Sequence, residues 1–334
     1  MQFLETVHAN RVRRLARAIA ALGILALLVH NVGIRAIASQ LARSDLLPLA
    51  FATVLLAVDG LAKARNWQQL LSAALGMHSV GYGRVLTWHF GGGFLGAVVP
   101  SSAGTDACRV LLALRGLGGH TASCAASILT VNALGWFTGS MLGILGMLVL
   151  AQIGELPRPL RPALLVFLAT AAGLPLASVL LASRKSGVAA LIDKSSRRRG
   201  FRRGLGRFVD ALLVFEQAHV RLPAFLLFAA CGLLAQAGMF AVTAAAVGIS
   251  LPWVVWLVVV PLTRIVALVP VSVADFGLIQ AAHVALLSLF GVPASQSLAL
   301  SALFAVEGLV IHATLGSAAF LFGSRDPARI EPSS

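Results

Sequence analysis

The stretch 121–150 contains no Asp, Glu, Lys or Arg. A run this long and this free of charge has no place on a water-covered surface, and beyond about 18 apolar residues it is long enough to cross a bilayer as a helix. Comparable apolar runs recur at 18–34, 46–62, 162–182, 222–248 and 294–322. In hydrocarbon the backbone must satisfy its own hydrogen bonds, so only helices and closed barrels span. Unbroken apolar runs favour helices, because barrel strands alternate apolar and polar positions. The predicted fold class is therefore all-α, a polytopic helical membrane protein. Composition agrees: charged residues are 11% of the 334 positions, against about 25% in soluble domains, too few to clothe a water-facing surface.

The charges that remain orient the runs. Lys and Arg exceed Asp and Glu by 26 to 12, for a net charge of +14. In a soluble protein that excess would suggest nucleic acid; here it sits mainly between apolar runs, where it marks the cytoplasmic side, and no nucleic-acid partner is expected. The leader with Arg11, Arg13, Arg14 and Arg17, the Lys63/Arg65 segment, the basic stretch 184–207 and the Arg325/Arg329 tail are expected in the cytoplasm, which puts both termini there. Ala36-Ile37-Ala38 is a candidate signal-peptidase site, but a retained anchor is the preferred reading. Cys108, Cys124 and Cys231 lack metal-ligand spacing and read as small hydrophobes.

Two regions break the pattern. Short apolar pieces at 85–99 and 107–115 flank Pro100-Ser101-Ser102-Ala103-Gly104-Thr105-Asp106, and pieces at 253–269 and 276–291 flank Pro270-Val271-Ser272-Val273-Ala274-Asp275. A second short piece, 66–77, reads as amphipathic and separate from the span that ends near residue 62. Crossing parity requires each pair to begin and end on one side, the first entering from the cytoplasm and the second from outside. Two thin spanning helices per pair would satisfy parity equally well. The preferred reading is two broken or re-entrant hairpins in an inverted pseudo-repeat, within a single transmembrane domain. Its first half is about 16–183, followed by a basic cytoplasmic loop at 184–220 and a second half at about 221–323. In the loop, Phe201, Leu205, Phe208, Leu212 and Phe215 fall on one helical face. This suits either a helix lying on anionic lipid or an ordinary cytoplasmic loop.

Candidate binding residues cluster at the breaks. Pro100 and Pro270 free backbone groups that need protein or water partners at membrane depth. Ser101, Ser102, Gly104 and Thr105 after one break, and Ser272 after the other, precede helix starts whose N–H groups favour an anion such as a phosphate. Asp106 and Arg109 are spaced i,i+3, as a local pair or as cavity lining. Arg264 lies within the apolar stretch 258–269, where an unpaired charge costs about 2.5–3.5 kcal/mol; Asp275 or Asp106 is the expected partner. Glu307, with His312 about one turn on, is a similar case. A purely structural buried pair is the competing explanation for these charges. No Gly-x-Ser-x-Gly, His-Glu-x-x-His or phosphate-binding loop is present. Asp275-Phe276-Gly277 matches a kinase triplet by chance, and an intramembrane aspartyl dyad of Asp106 and Asp275 is only loosely suggested. No enzyme, metal or cofactor is expected.

With these residues the chain resembles the transmembrane-region family of lysylphosphatidylglycerol synthetase/flippase proteins, over about residues 15–322. The resemblance rests on Arg65-Asn66-Trp67, on Pro100 through Asp106-Ala107-Cys108-Arg109, and on Pro270 through Gly277-Leu278-Ile279-Gln280. Thr105 stands where the family has a second glycine, Ala274-Asp275 where it has Gly-Gly, Ile279-Gln280 where it has Arg-Glu, and Val131-Asn132 where it has Glu-Arg. The resemblance implies a flippase for a charged-headgroup phospholipid or lipid-linked intermediate in the bacterial inner membrane, without the aminoacyl-transferase domain of the bifunctional members. Membrane lipids, anionic or aminoacylated, are the expected partners, with self-association left open. Gln280 joins the candidate site through its place in the third motif. The alternative is a non-transporting accessory subunit of a lipid or envelope-glycan assembly pathway.

Overall fold

A computed structural model describes residues 45–75, 80–96, 102–117, 120–183, 222–267 and 277–322. Among these residues the regular structure is entirely helical: α1 (Leu46–Ala74), α2 (Tyr82–Gly96), α3 (Ser102–Leu117), α4 (Thr121–Gln152), a 3₁₀ turn (Arg158–Leu160), α5 (Ala163–Ser183), α6 (Leu222–Ala246), α7 (Val254–Val266), α8 (Leu278–Ser288) and α9 (Ala294–Phe322). The run at 18–34 and the basic segment with its Phe201–Phe215 stripe lie outside the described residues.

Within α1, α4, α6 and α9 lie stretches long and apolar enough to cross a membrane. They carry leucines on their outer surfaces as well as inside, with Leu47, Leu145, Leu227 and Leu309 all outward. Helices apolar all round are what a lipid solvent selects. The chain is a multi-pass helical membrane protein. Helix α5 forms where the sequence predicts a further span.

The other four helices are short. Over their described lengths α2, α3, α7 and α8 have 15, 16, 13 and 11 residues. At 1.5 Å per residue they reach about 16–24 Å, less than the roughly 30 Å of a hydrocarbon core. They coincide with the short apolar pieces read from the sequence. Pro100 and Pro270, between the members of each pair, lie outside the described residues.

One boundary differs from the sequence reading. The separate amphipathic piece at 66–77 does not exist as such, because α1 continues unbroken to Ala74. Its polar residues are absorbed by neighbours instead of marking an interface. Asp59 accepts from Lys63 one turn on, Asn66 Nδ2 donates to the Phe225 carbonyl of α6 (3.0 Å), and Trp67 Nε1 donates to Ser127 Oγ of α4 (3.0 Å). Past the helix, Gln68 Nε2 donates to Val80 O (2.6 Å) and Val80 N–H donates to Ser72 Oγ (2.8 Å), which ties the entry of α2 to the end of α1.

Packing centres on α1 against α6. Around that pair, α2 lies on α3 and α9, and α7 lies on α8 and α4. If α1–α4 are exchanged in order for α6–α9, these contacts map onto one another: α2–α9 becomes α7–α4, α1–α2 becomes α6–α7, and α3–α4 becomes α8–α9. Both cross-contacts are close ones made at a glycine. A Cβ on Gly146 of α4 would come within 2.9 Å of Val258 Cγ2 of α7, and one on Gly316 of α9 within 3.0 Å of Phe90 O of α2. Small residues at such crossings are the usual route to tight packing in lipid, where apolar burial supplies no driving force between helices. The core of the second half is aromatic, with Phe240 of α6 stacked on Trp256 of α7 (6.1 Å between centroids) and tilted against Phe304 of α9 (4.7 Å).

Candidate functional site

A cavity of ≈ 570 Å³ opens between the two short-helix pairs and the long helices. Its walls carry five charged side chains: Asp59 and Lys63 of α1, Asp106 and Arg109 of α3, and Arg264 of α7. Helix α1 presents Asp59, Lys63 and Asn66 at i, i+4 and i+7, the spacing that keeps three side chains on one face. Asp59 has a side chain only 4% exposed. Its Oδ2 accepts from Lys63 Nζ, whereas Oδ1 stands 3.7 Å from Arg264 Nη2. That distance is an ion pair but exceeds hydrogen-bond length, and neither atom has another hydrogen-bond partner among the described residues.

The first short pair is built to place its charges. Gly92 and Gly96 of α2 lie one turn apart and face Arg109 and Thr105 of α3, also one turn apart. A Cβ on Gly92 would meet the Arg109 backbone at 2.8 Å, and one on Gly96 would meet Thr105 Cα at 2.6 Å. Only glycine lets the two backbones approach this closely. The approach brings Arg109 Nε to the His89 carbonyl (3.3 Å) while Arg109 Nη1 donates to Asp106 Oδ1 (2.9 Å). Asn132 Nδ2 of α4 donates to the other oxygen of Asp106 (2.7 Å), so this carboxylate is satisfied on both sides.

Of the residues singled out in the sequence, Thr105, Asp106, Arg109 and Arg264 meet at this one cavity. Ser102 begins α3 and Gly104 lies in its first turn. Gln280 does not line the cavity; its Oε1 accepts from the backbone N–H of Gly277 (2.6 Å), whose φ of 87° favours glycine, and so caps α8. Glu307 is also off the wall, buried and accepting from Thr243 Oγ1 (3.1 Å). Pro100, Ser101, Pro270, Ser272 and Asp275 lie outside the described residues. The expectation that Asp106 pairs with Arg264 is corrected. Both Asp106 oxygens are taken by Arg109 and Asn132, and Arg264 faces Asp59. Asp59 went unnoticed in the sequence although it is the one acid in its apolar run, four residues before a lysine.

Over residues 14–316 the sequence matches the lysylphosphatidylglycerol synthase TM region. The chain belongs to that family. Among curated proteins none matches it. Membership gives the protein a role connected with membrane lipids, and the structure shows what the residues at the family's motif positions do here. At the Arg65-Asn66-Trp67 position, Asn66 and Trp67 fasten α1 to α6 and α4. Asn132 supplies the amide that holds Asp106. Gln280 caps α8.

Proposed function

We propose that the protein is a lipid translocase of the bacterial inner membrane, with both termini cytoplasmic, and that it moves a charged-headgroup phospholipid or lipid-linked intermediate between leaflets without altering it chemically. The observation that carries this reading is the cavity. Five charged side chains within a helical membrane protein are expensive unless they pair or serve a pathway, and here they converge on one space large enough for a headgroup. Arg264 and Arg109 counter the phosphate, Lys63 reinforces them, and Asp59 and Asp106 hold the cations in place. Thr105, in the first turn of α3, adds a hydroxyl beside N–H groups that favour an anion.

The two short-helix pairs act as re-entrant hairpins of an inverted repeat, entering from opposite faces and meeting at the headgroup while the acyl chains remain in lipid. The interchangeable packing of α1–α4 and α6–α9 supports this arrangement, as does the shortness of α2, α3, α7 and α8. In liposomes holding the purified protein and a phospholipid labelled on its tail, wild type speeds transfer between leaflets and Arg264→Ala falls to near the protein-free rate. Equal rates for the two proteins would remove Arg264 from the pathway, and no acceleration by wild type would remove translocation itself.

A further inference from the structure

The cavity carries a second chemical signal beyond its charges. Five residues that line it each carry a buried side-chain atom with no hydrogen bond among the described residues: Asp59 Oδ1, Asn66 Oδ1, Gln236 Oε1, Arg264 Nη2 and His283 Nε2. Their chemistry is lopsided. A carboxylate oxygen only accepts. Asn66 has its orientation fixed by the bond from Nδ2 to the Phe225 carbonyl, which leaves Oδ1 as an acceptor. Gln236, itself 7% exposed, adds a third oxygen from α6. His283 shares its Nδ1 with Ser301 Oγ at 2.6 Å, which leaves Nε2 without a partner among the described residues. Arg264 Nη2 alone among the five can only donate.

A buried acceptor left unpaired costs free energy. A headgroup relieves that cost only when it brings donors of its own. An ionised phosphate brings none, and its partners are the cations. Charge narrows the ligand further. The wall carries three cations (Lys63, Arg109 and Arg264) against two carboxylates, and each carboxylate already holds at least one of those cations. A ligand with net positive charge would add to an excess that is already positive.

Taking the translocation reading as its starting point, we propose that this cavity selects a phospholipid whose headgroup combines an anionic phosphate with polyol hydroxyls. The cations take the phosphate, and the hydroxyls donate to Asp59, Asn66 and Gln236. Anionic lipids without hydroxyl donors and aminoacylated, cationic headgroups are both disfavoured. This separates the chain from what its family's printed name would suggest as cargo.

The test is competitive lipid retention by the full chain in detergent, read by native mass spectrometry, with no transport step involved. The probes are phosphatidylglycerol, phosphatidic acid and lysylphosphatidylglycerol at equal concentration. Phosphatidylglycerol is expected to be retained over each of the others by about tenfold, the equivalent of one net hydrogen bond. Gln236→Met keeps the shape of the side chain, removes one acceptor and breaks no hydrogen bond among the described residues. It should narrow the preference over phosphatidic acid about fivefold with an unchanged or higher melting temperature. Equal retention of the three lipids, preferential retention of lysylphosphatidylglycerol, or an unchanged preference in Gln236→Met would overturn the proposal. Intact selectivity in a protein that does not flip lipid would overturn translocation alone.

Discussion

The two short-helix pairs handle charge differently. In α2 and α3 the backbones touch across Gly92 and Gly96, and Asp106 has both oxygens bonded, by Arg109 within its own helix and by Asn132 of α4. In α7 and α8 the charged residue is Arg264, which reaches out of its pair to Asp59 on α1 and stands 3.7 Å from its Oδ1, an ion pair without a hydrogen bond. The first arrangement is closed. The second leaves an acid and a base facing each other across a gap, with a donor and an acceptor both unused. A closed network rigidifies, whereas a half-satisfied one in low dielectric is costly in isolation and open to a ligand that completes it. The comparison makes Arg109 of the first pair a cation held in a fixed place and leaves the Asp59–Arg264 gap as the part that a ligand completes.

That difference can be broken most sharply at the two aspartates. Asp59→Ala strands Lys63 and Arg264 beside each other, and losing one partner of a buried ion pair costs about 3–5 kcal/mol. Asp106 is more exposed, at 27% of its side chain, and Asp106→Ala should cost about 1–2 kcal/mol in lost hydrogen bonds. Melting temperatures in one detergent read both, and equal losses would erase the distinction between an open and a closed charge network.

A smaller effect sharpens the first pair's side of the comparison. Gly92→Val pushes α2 off the Arg109 backbone at about 1–3 kcal/mol, the usual range for overpacking. Gly173→Ala on α5, where a Cβ meets nothing within 4 Å, is the control and should stay within about 0.5 kcal/mol of wild type. Matching losses at the two glycines would mean that the close approach of α2 and α3 carries no special weight.

The long apolar helices and the short ones were legible in the sequence because length and the absence of charge separate them. The pairing of Asp106 with Arg109 was legible for a similar reason, since i,i+3 spacing is local. Two features were not. The end of α1 was misplaced because Lys63 and Arg65 look like an interface. Lys63 is neutralised inside the bundle by Asp59, and Arg65 lies over the Tyr82 ring, 5.7 Å from its centroid. Of the two acids expected beside Arg264, Asp275 lies outside the described residues and Asp106 is taken by Arg109 and Asn132. Asp59 meets Arg264 only once α1 and α7 have packed around the same space, and no spacing rule links residues on those two helices. Gln236 and His283 were invisible for a further reason: an uncharged polar residue in an apolar run gives no sign of facing a cavity.

Thr263 offers the most direct measurement. It is buried, lines the cavity and neighbours Arg264. In a protein with Cys108, Cys124 and Cys231 replaced by Ala, Thr263→Cys keeps a small side chain at the wall, and a bulky charged thiol reagent then fills the space. The unlabelled variant in liposomes should flip a tail-labelled phospholipid at close to the rate of the cysteine-free protein with Thr263 intact, and the labelled one should fall to the protein-free rate. Full flipping by stoichiometrically labelled protein would mean that the headgroup does not pass through this cavity.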